Sequence, residues 1–283
     1  MLSALLIVFR EVIEAGLIVG IVLAATAGVP RRSYFVALGV LGGVIGACLV
    51  AAFAGELASL FQGSGQELFN AAILLIAVAM LTWHNVWMAG HGREMARELK
   101  AAGHEVMTGK RTLAALAIVV GVAVLREGSE VVLFLYGIVA QGGTSNAALA
   151  LGGALGLVAG AGVSALMYFG LLTIPAHRLF TVTSGLITLL AAGMAAQAVL
   201  FLQNGGYINV LTGTMWDTSW LLPEDSIAGR LLHTLVGYSE APNGAQLIAY
   251  LAVVVLMILL MRSVGRSSSR RAIAKFLASG AAE

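Results

Sequence analysis

Seven stretches of this chain stay apolar for about 20 residues or more, the length a helix needs to cross a hydrocarbon slab. They run roughly over 2–27, 34–61, 67–90, 112–140, 146–173, 178–203 and 245–264. In lipid the backbone must satisfy its own N–H and C=O groups, so such runs are expected as membrane-spanning helices. Composition agrees: of 283 residues 59% are hydrophobic and 11% charged, too few charges to coat a soluble globule. The expected class is an all-α integral membrane protein with seven transmembrane helices. A net charge of +2 gives no reason to expect nucleic acid as a partner. The lone Cys48 lies inside the second run and excludes an intrachain disulfide. The first run is not read as a cleaved signal peptide, because its charges lie within the apolar core instead of before it.

The basic residues alternate along the chain. Arg31 and Arg32 follow run one, Arg93, Arg97, Lys100, Lys110 and Arg111 follow run three, and Arg178 follows run five. Arg262, Arg266, Arg270, Arg271 and Lys275 follow run seven, whereas the connections after runs two and four have no lysine or arginine and the long sixth has only Arg230. This bias predicts a multi-pass protein of the cytoplasmic membrane with its N-terminus outside and its basic tail in the cytoplasm. Tyr34, Trp83 and Trp87 fall where amphipathic rings meet the inner interface.

The chain also repeats itself. VFREVIEAGLIVGIVLA (8–24) aligns with VLREGSEVVLFLYGIVA (124–140), matching Arg10 to Arg126, Glu11 to Glu127 and Glu14 to Glu130. ALGVLGGVIGA (37–47) parallels ALGGALGLVAG (150–160), and Glu67-Leu68-Phe69 at the head of run three faces Arg178-Leu179-Phe180 at the head of run six. Each unit has three spans, so the second must enter from the opposite side, giving an inverted 3+3 repeat with a seventh helix appended. The expected organisation is a first repeat over 1–90, a cytoplasmic connection over 91–111 and a second repeat over 112–203. An extracytoplasmic connection (204–244), the seventh helix (245–264) and a basic, mobile tail (265–283) complete it. The glycines Gly152, Gly156 and Gly160, with Gly39/Gly43 and Gly42/Gly46 in the other half, are read as close helix packing.

The charged motif carries the chemistry. Three charges near the centre of a span oppose insertion by about 8–10 kcal/mol, against about 4–8 kcal/mol returned by its Leu, Ile, Val and Phe residues. They must therefore be paired and face protein or water. Helical spacing puts Arg10 and Glu14 about 40° apart and Glu11 and Glu14 about 60° apart, so all three share one stripe. If the two stripes meet, the core holds four carboxylates and two guanidiniums, a deficit that protons or a cation must fill. Oxygen ligands select hard cations, and no His, Cys or Met accompanies the motif at ligand spacing. Two structural salt bridges would leave the second glutamate of each motif unexplained, and ionisable groups within a span are functional by default.

Two R-E-x-x-E motifs, REVIE (10–14) and REGSE (126–130), on spans one and four of a seven-span chain resemble the oxidase-dependent iron permease family and its bacterial EfeU-type branch. MWDTSWLLPEDS, GRLLHTLVGY and APNGAQLIAY before the last helix extend the resemblance over nearly the whole chain. It implies high-affinity iron import, with Glu11, Glu14, Glu127 and Glu130 as iron ligands and Arg10 and Arg126 in support. It also implies iron as substrate and not cofactor, and a periplasmic peroxidase or iron-binding protein as partner. The first motif departs from the family habit, with Val12 where glycine is common. A carrier for another divalent cation, or a proton-coupled one, fits the same carboxylates. An intramembrane hydrolase built on Ser129 is the contrasting class, and it lacks a histidine or lysine at base spacing on span four.

Asp217, Glu224 and Asp225, with His233 and Glu240, are read either as gathering cations outside or as a solvated loop anchored by Trp216 and Trp220. Glu56 and Glu67 line the outer access path or meet headgroup water. His84 and Asn85, beside the tryptophans of span three, read as an interfacial, solvated pair or as part of an exit path. HGREMARELK (91–100) reads as a short separate cytoplasmic helix.

Overall fold

The computed structural model describes residues 1–59, 66–141, 145–170 and 176–280, and among these the regular structure is entirely helical. The helices are α1 (Leu2–Ala25), α2 (Arg32–Ser59), α3 (Gln66–Met107), α4 (Leu113–Gln141), α5 (Asn146–Tyr168), α6 (Ala176–Asn204), α7 (Ile227–Val236) and α8 (Gly244–Gly280). The four prolines, at 30, 175, 223 and 242, fall between helices, so none of these runs contains the residue that would break it. The expected ends of runs two (60–61) and five (171–173), the side chains of Arg93 and Arg178 and those of the tail from Gly265 onward lie outside the described residues.

Among the described residues, five helices are long and apolar enough to cross a membrane: α2, α3, α5, α6 and α8 over their most apolar portions. α1 and α4 match them in length, with 24 and 29 residues, but each carries an Arg-Glu-x-x-Glu motif at its centre. Outward faces are greasy, as lipid requires: Leu41, Ile45, Leu49 and Phe53 of α2 and Leu251, Val255 and Leu259 of α8 are exposed.

α3 differs from the expected pattern. Instead of a span followed by a separate charged helix, one helix of 42 residues continues through His91–Met107, a stretch rich in the strong helix formers Arg, Glu, Met, Ala, Leu and Lys. α8 likewise runs unbroken into the basic tail that read as mobile. The sixth connection holds an unforeseen helix, α7, capped at its start by the Ser226 side chain accepting from the Gly229 N–H and closed by Gly237 at φ 69°.

Packing pairs the helices across the two halves. α1 lies along α5 and α2 lies along α4, with α3 against α6. Glycines set both close contacts. A Cβ on Gly152 would lie 2.1 Å from the Met1 carbonyl oxygen, and one on Gly156 2.6 Å from that of Leu5. On the other pair, a Cβ on Gly39 would lie 2.5 Å from the Ala117 carbonyl oxygen. Gly42 faces open space and takes no part.

Two apolar clusters stack along the bundle. One gathers Ile7, Leu74, Leu81, Phe134, Ile138, Met194 and Met257, and the other Ile18, Val22, Leu99, Leu116, Val120 and Val124. α1 and α4 contribute to both in opposite chain order, so they run antiparallel. Between Ile7 and Ile18 on α1, and between Val124 and Phe134 on α4, lie the two charged motifs.

Candidate metal site

The layer between the apolar clusters is charged and largely buried. Arg10, Glu11 and Glu14 are buried on α1, as are Glu127 and Glu130 on α4 and His84 on α3. Arg10 is 1% exposed, and its Nη1 donates to Glu11 Oε1 at 3.2 Å. Its Nε lies 3.0 Å from Glu14 Oε1, one turn on, close in distance though not aligned as a hydrogen bond. Burying this triad without its internal pairing would strand a charge in apolar surroundings.

The second motif is arranged differently. Arg126 Nε reaches Glu130 Oε1 at 3.2 Å and Glu127 Oε1 at 4.0 Å, but the arginine side chain is 37% exposed. Its guanidinium lies over the Trp87 ring, 4.4 Å from the centroid, and Trp87 stacks on His91. The two motifs are therefore matched in sequence and unlike in surroundings.

His84 joins them. Its Nε2 lies 3.1 Å from Glu14 Oε2 and 3.9 Å from Glu11 Oε2 on α1, while Nδ1 faces Glu130 Oε2 on α4. Each of Glu11, His84, Glu127 and Glu130 offers one ligand atom, and these atoms lie within 4.8 Å of one another. Oε2 of Glu11 and of Glu127 are buried without a hydrogen-bond partner among the described residues, while Oε2 of Glu130 and Nδ1 of His84 face each other as a close ion pair. Buried lone pairs left unpaired in one small volume are what a cation would satisfy.

The reading of His84 and Asn85 as a solvated interfacial pair is corrected here. They are 2% and 1% exposed, because this part of α3 is packed against α1 and α4. The absence of histidine at ligand spacing within the motifs said nothing about a histidine brought in by a third helix. His84, Trp87 and His91 recur at helical spacing on one face of α3, and this stripe was the available signal.

Among the expected ligands, Glu11, Glu127 and Glu130 come together. Glu14 stands just outside the group, engaged by Arg10 and His84. None of the acidic residues expected on the outer side joins it. Glu56 is exposed in the last turn of α2, and Glu67 opens α3, where a carboxylate suits the positive end of the helix dipole. Asp217 accepts from the Ser219 N–H at 2.9 Å. Glu224 pairs with His233 at 2.9 Å, and Asp225 uses its carbonyl to accept from Arg230. The Ser129 hydroxyl donates to the Arg126 carbonyl at 2.8 Å, as an ordinary helix serine does. A separate cavity of about 570 Å³ lies between α1, α3 and α5, bordered by Gly16, Gly20, Lys100, His104, Ser164 and Tyr168, and none of the four grouped residues lines it.

Comparison with known proteins decides the family. The profile of the iron permease FTR1 family matches residues 1–271. The chain belongs to that family. It is similar to the ferrous iron permease EfeU of Yersinia pestis, with 32% identity over 95% of this chain and 96% of the relative. It is also similar to the proteins of that name in Escherichia coli O6:H1 (30% identity; 94% and 98% covered) and Shigella sonnei (31%; 94% and 98%). No solved structure matches the chain. Family and apolar helices together make this an iron permease family protein of the membrane, with relatives named as transporters.

Proposed function

We propose that the chain imports ferrous iron across the cytoplasmic membrane through the buried group formed by Glu11 of α1 and Glu127 and Glu130 of α4. The observation that carries this reading is the convergence of carboxylates from two antiparallel helices into a volume spanned by 4.8 Å, with oxygens of Glu11 and Glu127 that no hydrogen bond among the described residues satisfies. Carboxylates in that number neutralise a divalent cation and replace part of its hydration shell, and the two arginines hold the rest of the acidic charge in place. Glu14 acts through Arg10 and His84, keeping the first motif in register with the second. The relatives' name supplies iron, in its ferrous state, as the ion.

The architecture that serves this role is a seven-span inverted repeat, 1–90 and 112–203, with the last helix appended. Exchange of α1, α2 and α3 for α4, α5 and α6 turns the α1–α5 pair into the α4–α2 pair, each closed by glycines, and leaves the α3–α6 pair unchanged. Such symmetry supports alternating access, in which one half rocks against the other around a fixed central ion. The alternation of basic connections supports an N-terminus outside and import towards the basic side. A periplasmic peroxidase or iron-binding protein delivers the ion to the 204–244 connection.

The test is uptake of radiolabelled ferrous iron by the full chain in proteoliposomes. Glu11→Gln, Glu127→Gln and Glu130→Gln are each expected to lower uptake by at least ~10-fold, since each removes a ligand charge. Undiminished uptake in all three would overturn the site. Equal uptake of manganese or zinc by the unaltered protein would overturn the choice of ion.

A further inference from the structure

Resting on the reading of the group as an iron site, we infer that His84 is itself an iron ligand, bound through Nδ1 and oriented by Glu14, and that it sets the preference for iron over magnesium and calcium.

Three observations carry this. First, the two ring nitrogens have different neighbours. Nδ1 faces Glu130, a member of the ligand group, as a close ion pair that an inserted cation would bridge, whereas Nε2 lies 3.1 Å from Glu14, which stands outside the group. A metal-bound imidazole nearly always gives its other N–H to a carboxylate, which fixes the ring and strengthens the donor. The Glu14–His84 contact has that form, and it explains why the motif needs a second glutamate on α1 that does not itself enter the group. Coordination through Nδ1 needs that nitrogen bare, so any proton it carries leaves as the ion binds.

Second, the histidine breaks the repeat. In the register that aligns Glu67-Leu68-Phe69 with Arg178-Leu179-Phe180, Ala195 takes the place of His84 on α6. Ala195 is buried in an apolar cluster. The group thus receives one nitrogen donor, from one half only, among carboxylates supplied by both.

Third, donor chemistry gives this asymmetry a use. Carboxylates alone suit magnesium, calcium and manganese, while imidazole suits iron, zinc, nickel and copper. Magnesium holds its water and gains little from nitrogen, so one imidazole in a dry acidic cage tilts the choice towards a transition ion without adding negative charge.

X-ray absorption at the iron edge tests this on the purified full chain loaded anaerobically with ferrous iron. One imidazole scattering signature is expected in the unaltered protein, lost in His84→Gln and kept in His91→Gln, whose ring bonds the Trp87 carbonyl. Ferrous binding titrated against excess magnesium should weaken at least ~10-fold in His84→Gln. In Glu14→Gln the signature should persist while affinity falls about 10–100-fold. An all-oxygen shell in the unaltered protein overturns the inference even if His84→Gln fails to fold, and leaves the carboxylate site standing. Iron that does not bind the unaltered protein at all overturns both.

Discussion

The imidazole Nε2 of His84 lies 3.1 Å from a carboxylate oxygen of Glu14, and the two residues are separated by 70 positions in the chain. This contact ties α3 to the first charged motif, while the other side of the ring meets the second, so a single side chain from a third helix spans both halves of the charged layer.

The two arginines are expected to behave differently. Arg10 is fully buried between Glu11 and Glu14, so Arg10→Gln removes the buried guanidinium that balances them, leaving only His84 beside Glu14, and should cost about 3–5 kcal/mol. Arg126 is 37% exposed and also rests on Trp87, so Arg126→Gln should cost about 1 kcal/mol. Thermal denaturation of the detergent-purified variants measures both; equal losses would contradict the asymmetry.

Gly156 is fitted against α1, where a Cβ would meet the Leu5 carbonyl oxygen at 2.6 Å and the Phe9 nitrogen at 3.0 Å. Gly156→Leu should force α1 from α5 and lower stability by about 1–3 kcal/mol, with a matching fall in the denaturation midpoint. Gly42→Leu, where nothing lies within 4 Å of the added atom, should leave the midpoint unchanged.

The connection that holds α7 should stiffen in mild acid. Its hydrogen bond to Glu224 raises His233 above its ordinary 6.5, and the same bond lowers Glu224 below 4.5. Of the stability this pair gives, the histidine's share is complete below 6.5 and is lost as pH rises through its raised value. The carboxylate's share is present above 4.5 and is lost as pH falls through its lowered one. Amide hydrogen exchange in 226–238 should therefore be slowest, after correction for intrinsic rates, between 4.5 and 6.5. His233→Gln should remove the loss of protection on the alkaline side.

Much of this architecture was legible in the sequence, for physical reasons. Apolar runs free of proline and long enough to span lipid can only be helices, and the helix ends fell within a few residues of those runs except at the C-terminal ends of α3 and α8, which continue to Met107 and Gly280. The pairing of the two Arg-Glu-x-x-Glu motifs marked the charged layer, and the glycine rows of α2 and α5 marked the close contacts. Gly42 misled because spacing alone does not say which face of a row meets a neighbour. The continuation of α3 was hidden because polarity was read as an ending, whereas helix propensity in 91–107 stays high once a turn is already formed. α7 escaped notice because ten residues with one apolar face resemble a loop near an interface. His84 was the largest misreading. Its burial depends on contacts far along the chain, and the stripe it forms with Trp87 and His91 marks a face of α3 without naming the carboxylates that fold against it.

The most direct test of the central claim is a structure of the full chain soaked anaerobically with ferrous iron, with anomalous data collected at the iron edge. The account predicts one strong peak enclosed by Glu11, Glu127, Glu130 and His84, with Glu14 behind the imidazole. A peak elsewhere, or carboxylates still paired only with Arg10 and Arg126 at saturating iron, would contradict it.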